Sequence, residues 1–163
     1  MQNKDIKLAD NITAIIRNSV TATVATIFNV SIESCSDTRK ASFSDDYICC
    51  GDLIQDDARA KLMFSFDREL IERLMQCVFL TSELTDSAMY ESAALEIVNM
   101  VGNNLKTYLN THGYKFYMAI PYAVDRSVTD RSTGAAEEPM IHLAFSLKET
   151  GVMGVDFYLN ANN

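Results

Sequence analysis

At 163 residues, 48% of them apolar and 22% charged, the chain has the make-up of one globular domain, residues 1–163, and not that of a disordered, collagen-like or low-complexity polymer. Its 22 acidic residues against 14 basic ones give a formal charge of −8, a poor match to phosphate backbones or anionic lipid, so no nucleic-acid and no membrane partner is expected. The N-terminal MQNKDIKLADN has no apolar segment of signal type, and no run of about 18 apolar residues occurs anywhere, which points to a cytoplasmic protein.

From Asp5 to Phe28, the residues Leu8, Ile12, Ile15, Ile16, Val20, Val24 and Ile27 recur at steps of three and four, predicting a helix with one apolar face. Its β-branched residues lower helix propensity, leaving the end near Val24 open to an extended conformation. Val30 and Ile32 alternate with polar neighbours and predict a short strand before the polar stretch Ser34 to Asp46. Between Tyr47 and Ser65 the period becomes two. With a break at Gly51 and a turn at Gln55-Asp56-Asp57, this segment predicts an antiparallel hairpin.

Asp67 is a candidate N-cap for a short helix carrying Leu70, Ile71, Leu74, Met75 and Val78, followed by a polar turn from Thr81 to Asp86. A longer helix is predicted from Ser87 to His112, closed by Gly113, with Lys106 and His112 toward its negative end. Tyr114 to Val124 reads as a strand interrupted by Pro121, which cannot donate a ladder hydrogen bond and so marks an edge or a bulge. Asp125 to Pro139 is a polar loop. The last hairpin has Ile141, Leu143, Phe145 and Leu147 on one face, a Glu149-Thr150-Gly151 turn, then Met153, Val155, Phe157 and Leu159. No βαβ alternation runs through this order. The expected fold class is α+β, an antiparallel sheet with helices packed on one side.

The four cysteines, Cys35, Cys49, Cys50 and Cys77, form no C-x-x-C pair, and adjacent Cys49 and Cys50 on a strand point to opposite faces; they are expected to be reduced and partly buried. His112 and His142 stand far apart in the chain, so no metal site is expected.

The long helix carries the chemistry. With Ser92 at zero and about 100° per residue, Glu96, Asn99 and Asn103 fall near 40°, 340° and 20°, while Tyr90, Ala94, Ile97, Val101, Leu105 and Tyr108 lie on the opposite side. A solvated face usually mixes Lys, Glu and Arg. Here one carboxylate is flanked by a serine and two carboxamides and rimmed by Met89, Leu95 and Met100, the make-up of a protein-docking surface.

This segment resembles the CheC/CheX/FliY chemotaxis phosphatases, which dephosphorylate the response regulator CheY. Their signature is Asp or Ser, three residues, Glu, two residues, Asn, and a Pro a little over twenty residues on. Here it reads Ser92-Ala-Ala-Leu-Glu96-Ile-Val-Asn99, with Pro121 after 21 intervening residues. A single copy in a chain of this length is closest to CheX. The family often has Gly-Asn after the motif, where this chain has Gly102-Asn103-Asn104.

The resemblance implies a phosphatase acting on the aspartyl-phosphate of a phosphorylated CheY-like response regulator. Asn99 would orient the attacking water and Glu96 would pair with the receiver's lysine. The rest of the stripe and its rim, Ser92, Asn103, Met89, Leu95 and Met100, are expected from the helix face to bind the partner. An acyl phosphate is already activated, so its hydrolysis needs a held water and stabilised charge more than a strong base. No cofactor is expected in this chain, Mg²⁺ belonging to the receiver. A CheX-like homodimer joined through sheet edges is also implied.

Two other readings compete. One is a non-catalytic adaptor of the same fold that binds a receiver or a flagellar-switch protein. The other is an unrelated carboxylate enzyme using the Asp45-Asp46 or Asp56-Asp57 pairs, which adjacent turn positions and the lack of a nucleophile motif disfavour.

Overall fold

The computed structural model describes residues 2–35, 46–79, 86–124, 138–148 and 150–161. Helix α1 covers Gln2–Phe28, β1 Glu33–Cys35, β2 Tyr47–Ile54, β3 Ala58–Phe66, α2 Arg68–Val78 and α3 Ser87–Thr111. Then come β4 Tyr117–Met118, β5 Tyr122–Val124, β6 Ile141–Ser146 and β7 Val152–Ala161. The strands form one antiparallel sheet in the order β1-β6-β7-β3-β2-β4, with β5 also paired to β2.

Two hairpins, β2–β3 and β6–β7, build the centre of the sheet and are joined by the β3–β7 ladder, Ala58 facing Ala161 at one end and Phe66 facing Met153 at the other. Alternation decides which face is apolar. Leu62, Phe64, Phe66, Leu143, Phe145, Met153, Val155 and Phe157 enter a single buried cluster with Ile12, Ile16, Val20, Val24 and Phe28 of α1, Leu70, Ile71 and Leu74 of α2, and Ile97, Val101, Leu105 and Leu109 of α3. Arg59 and Lys61 of β3 and the His142–Asp156 pair lie on the other face. The α+β architecture expected from the sequence is the one found.

Helix α1 stays helical through Val24 to Phe28, because Val20 and Val24 are fully buried and packing outweighs the propensity of β-branched residues. Asn29, at φ +55°, then turns the chain out, and its N–H closes on the Ala25 carbonyl at 3.0 Å. The expected strand at Val30 and Ile32 is corrected: Ile32 is buried in the core, and the strand begins one residue later at Glu33, where pairing with Ser146 of β6 sets the register. Gly51 does not interrupt β2, which runs unbroken opposite β3.

Asp67 does not cap its own helix with its side chain. Its Oδ2 accepts from the Val152 N–H at 2.9 Å, while the Arg68 N–H at the start of α2 is taken by Asp46 Oδ2 at 2.9 Å. Residues 36–45 of the polar stretch, 81–85 of the polar turn, 125–137 of the loop and Glu149 of the last turn lie outside the described residues, so Asp45 does too.

Candidate functional site

Helix α3 starts where the Asp86 side chain accepts from the Ala88 N–H at 2.9 Å and stops where His112 and Gly113, at φ +103°, leave helical geometry. Tyr90, Ala94, Ile97, Val98, Val101, Leu105 and Leu109 are buried, which turns Ser92, Glu96, Asn99 and Asn103 away from the core. These four share an open groove of about 540 Å³ with Leu95, Lys106 and the segment Met118, Ala119, Ile120 and Pro121. Met89, packed against the core, and half-buried Met100 are not part of its lining.

The far wall is a β-bulge. Leu53 pairs with Met118 and Cys50 with Tyr122, so Ala119, Ile120 and Pro121 stand opposite only Gly51 and Asp52. The Ala119 N–H still donates to the Asp52 carbonyl at 2.9 Å, and Pro121, having no N–H, loses nothing at the break. Ile120 is pushed outward and is 90% exposed. The sequence expectation of an edge or bulge at Pro121 holds on both counts.

Two glycines let this wall approach the helix. A Cβ on Gly102 would lie 2.4 Å from Met118 Cε and 2.7 Å from its Sδ, and one on Gly51 would lie 3.1 Å from the same Cε. The end of Met118 therefore sits in a notch between α3 and β2, drawing residues 118–121 over the polar stripe. The segment leading into it is held by Asn110, whose Oδ1 accepts from the Phe116 N–H at 2.8 Å and whose Nδ2 donates to the Phe116 carbonyl at 2.9 Å.

Within the groove, Ser92 Oγ donates to the Ala88 carbonyl at 2.8 Å. Asn103 Nδ2 donates to both the carbonyl and Oδ1 of Asn99, at 2.9 and 3.1 Å, and Lys106 Nζ donates to Asn103 Oδ1 at 2.8 Å. Glu96 is exposed and makes no hydrogen bond or ion pair among the described residues. Sequence reasoning placed Lys106 at the helix's negative end and missed it as a groove residue, although at about 320° on the same wheel it borders the stripe. Ile120, exposed beside Pro121, was missed as well.

Chemically, the groove offers a free carboxylate, carboxamides and an ammonium, with no thiol or imidazole. Its one hydroxyl donates to a backbone carbonyl and not to a base, so nothing here prepares a covalent nucleophile. A lone carboxylate among amides is also a poor donor set for Mg²⁺. The arrangement suits docking through Glu96 and polar orientation of a small molecule such as water.

Residues 49–145 match the family model described as chemotaxis phosphatase CheX, well over half of the chain and the whole groove. The chain belongs to the CheX family. Among solved structures it is similar to the chemotaxis protein CheX from Vibrio vulnificus (18% identity, 91% of this chain and 96% of that one, TM-score 0.70). It is similar also to a CheC-like superfamily protein from Shewanella sp. PV-4 (18% identity, 92% and 97%, TM-score 0.72). A third neighbour is CheX in the CheX–CheY–BeF3–Mg²⁺ complex from Borrelia burgdorferi (12% identity, 91% and 97%, TM-score 0.65). No curated protein sequence matches. At these identities the CheX structures share the fold with this chain.

Proposed function

We propose that this protein hydrolyses the aspartyl-phosphate of a phosphorylated CheY-like receiver domain. The observation that carries it is the joint presentation of Glu96 and Asn99 on one exposed strip of α3, facing Pro121 across a groove without a nucleophile. Membership of the CheX family and a relative found bound to CheY support the same reading.

In this account Glu96 pairs with the receiver's lysine and sets the dock. Asn99 then holds a water in line with the phosphorus. The water oxygen bonds to phosphorus as the bond from phosphorus to the aspartyl oxygen breaks; the receiver regains its carboxylate and both water protons leave on inorganic phosphate. Mg²⁺ is the receiver's, since the groove's own donors do not fit it.

Leu95 and Ile120 in the groove lining, with Met89 and Met100 at the rim, supply apolar contact area in a transient complex. A homodimer belongs to the same proposal, joined through a sheet edge, β1 at one side or β4 and β5 at the other.

The test measures receiver affinity and phosphoryl loss for Asn99→Ala and Glu96→Ala. Exposed Glu96 should cost no more than about 0.5 kcal/mol of stability, and half-buried Asn99, an acceptor for Asn103, about 1 kcal/mol. Asn99→Ala should lower the rate by about 10²–10³-fold with binding retained. Glu96→Ala should weaken both. A wild-type rate in Asn99→Ala would remove Asn99 from the mechanism, and receiver decay at the spontaneous rate with the wild type would make the protein a receiver-binding adaptor.

A further inference from the structure

Asn99, Asn103 and Lys106 follow one another along α3 at steps of four and three, which stacks them on one face. The contacts between them have a direction. An ammonium has three donors and no acceptor, so Lys106 Nζ can meet Asn103 only at Oδ1, as it does at 2.8 Å. A backbone carbonyl is acceptor-only, so the Asn99 carbonyl can meet Asn103 only at Nδ2, as it does at 2.9 Å. Two independent partners thus impose the same orientation on the Asn103 amide.

That orientation passes on. Asn103 Nδ2 reaches the Asn99 side chain at 3.1 Å and can only donate to it, so the Asn99 amide must turn its Oδ1 inward along the helix. Its Nδ2 makes no hydrogen bond among the described residues and is the end left to the groove. Resting on the phosphatase reading above, we propose that Lys106 and Asn103 are positioning residues that set the polarity of Asn99, so that it presents an N–H donor to the phosphoryl and water oxygens.

The consequence is specific. Phosphoryl oxygens and the attacking water both offer lone pairs, which an N–H donor meets and a carbonyl oxygen would oppose. The second lone pair of Asn99 Oδ1 remains for a proton of the same water. An asparagine free to flip would spend part of its time with the wrong end forward.

The experiment uses the full chain with Asn103→Asp, Lys106→Met and Lys106→Arg, read by dephosphorylation rate and by exchange of the side-chain amide protons in NMR. In the wild type the Asn103 NH₂ should exchange more slowly than that of exposed Asn104, and the Asn99 NH₂ should not. Asn103→Asp is close to isosteric but can only accept, so Asn99 should reverse. Its NH₂ becomes the slow one, and the rate at saturating receiver falls by about 10²-fold.

Lys106→Met, which keeps the stem without the donor, should speed exchange at Asn103 and lower the rate by about 10-fold, with Lys106→Arg keeping most of what Met loses. If Asn103→Asp fails to fold, the Lys106 pair reads the same quantity. Unchanged amide exchange in the variants, or full rates in both Asn103→Asp and Lys106→Met while Asn99→Ala is slow, would overturn the positioning role and leave the phosphatase standing. Decay at the spontaneous rate with the wild type would instead remove the phosphatase, and a full rate in Asn99→Ala would remove the catalytic role of Asn99, while the exchange data would still decide which way the amide points.

Discussion

Cys49 and Cys50 stand side by side on β2, one in the core and one on the opposite face, as strand geometry requires. Burial pushes the Cys49 thiol up to about 12, with the charges of Glu91 and Cys50 adding to it. Burial likewise pushes Cys50 up to about 11, against the pull of Lys61. In the unfolded chain both titrate near 9.0. A folded value above the unfolded one means that the stabilisation is complete below about pH 9 and is lost as pH rises through the folded values. The thermal midpoint should therefore hold steady from neutrality to about pH 9 and fall above it. At pH 8 a thiol reagent should label exposed Cys77 first and reach Cys49 and Cys50 only on unfolding. Rapid labelling of all four would contradict the burial of the pair. Glu96 and Asn99 were legible at this scale because chemistry and helical spacing coincide on them. The place of Lys106 in the groove was not, because a cation late in a helix has a ready explanation in the macrodipole, and only the folded structure brings its ammonium onto Asn103.

Among the elements, α3 was readable almost to the residue: its period, its start at Ser87 and its Gly113 stop all agree, while the Asp86 cap was read only as the end of a turn. β1 was not, since Val30 and Ile32 alternate as a strand would, yet the strand is set by which residues meet β6, a pairing between segments more than a hundred residues apart. The groove's far wall was half legible. Pro121 announced the break in the edge, but the notch holding Met118 is made by Gly51 and Gly102, whose proximity arises only when α3 lies across β2. Gly102→Ala tests that notch. Alanine favours the helix by about 1 kcal/mol and the flexible end of Met118 can swing aside, so stability should change by no more than about 1 kcal/mol. The displaced wall should nonetheless lower the dephosphorylation rate by about 10-fold. Met118→Ala alone should cost about 2 kcal/mol, and the double variant should depart from additivity by about 1 kcal/mol, because each change relieves the other. Denaturant midpoints for the two singles and the double decide it: additivity within about 0.3 kcal/mol would show that the two side chains do not share the notch.

For the molecule as a whole, the alternation of the two hairpins was enough to give the sheet and its single apolar face, and the spacing of α1 and α3 enough to lay helices over it. Strand order was beyond sequence reasoning, because the central β3–β7 ladder joins the two hairpins across most of the chain. No helix among the described residues is long and apolar enough to cross a membrane. The proposed dimer is a claim at this scale. Light scattering at micromolar concentration should give twice the 18.2 kDa chain mass, and a monomer across that range would remove the dimer without touching the groove.

The central claim is that the groove turns over an acyl phosphate and does more than hold the receiver. It is tested most directly by mixing a phosphorylated CheY-like receiver, labelled on its phosphoryl group and supplied with Mg²⁺, with this protein at about one part in a hundred and following the release of inorganic phosphate. Turnover predicts that the whole receiver pool is cleared faster than its spontaneous decay, each molecule of the protein acting many times and the rate rising in proportion to its amount. Decay at the spontaneous rate for every CheY-like receiver tried, or acceleration of only the fraction of receiver equal to the protein added, would contradict catalysis.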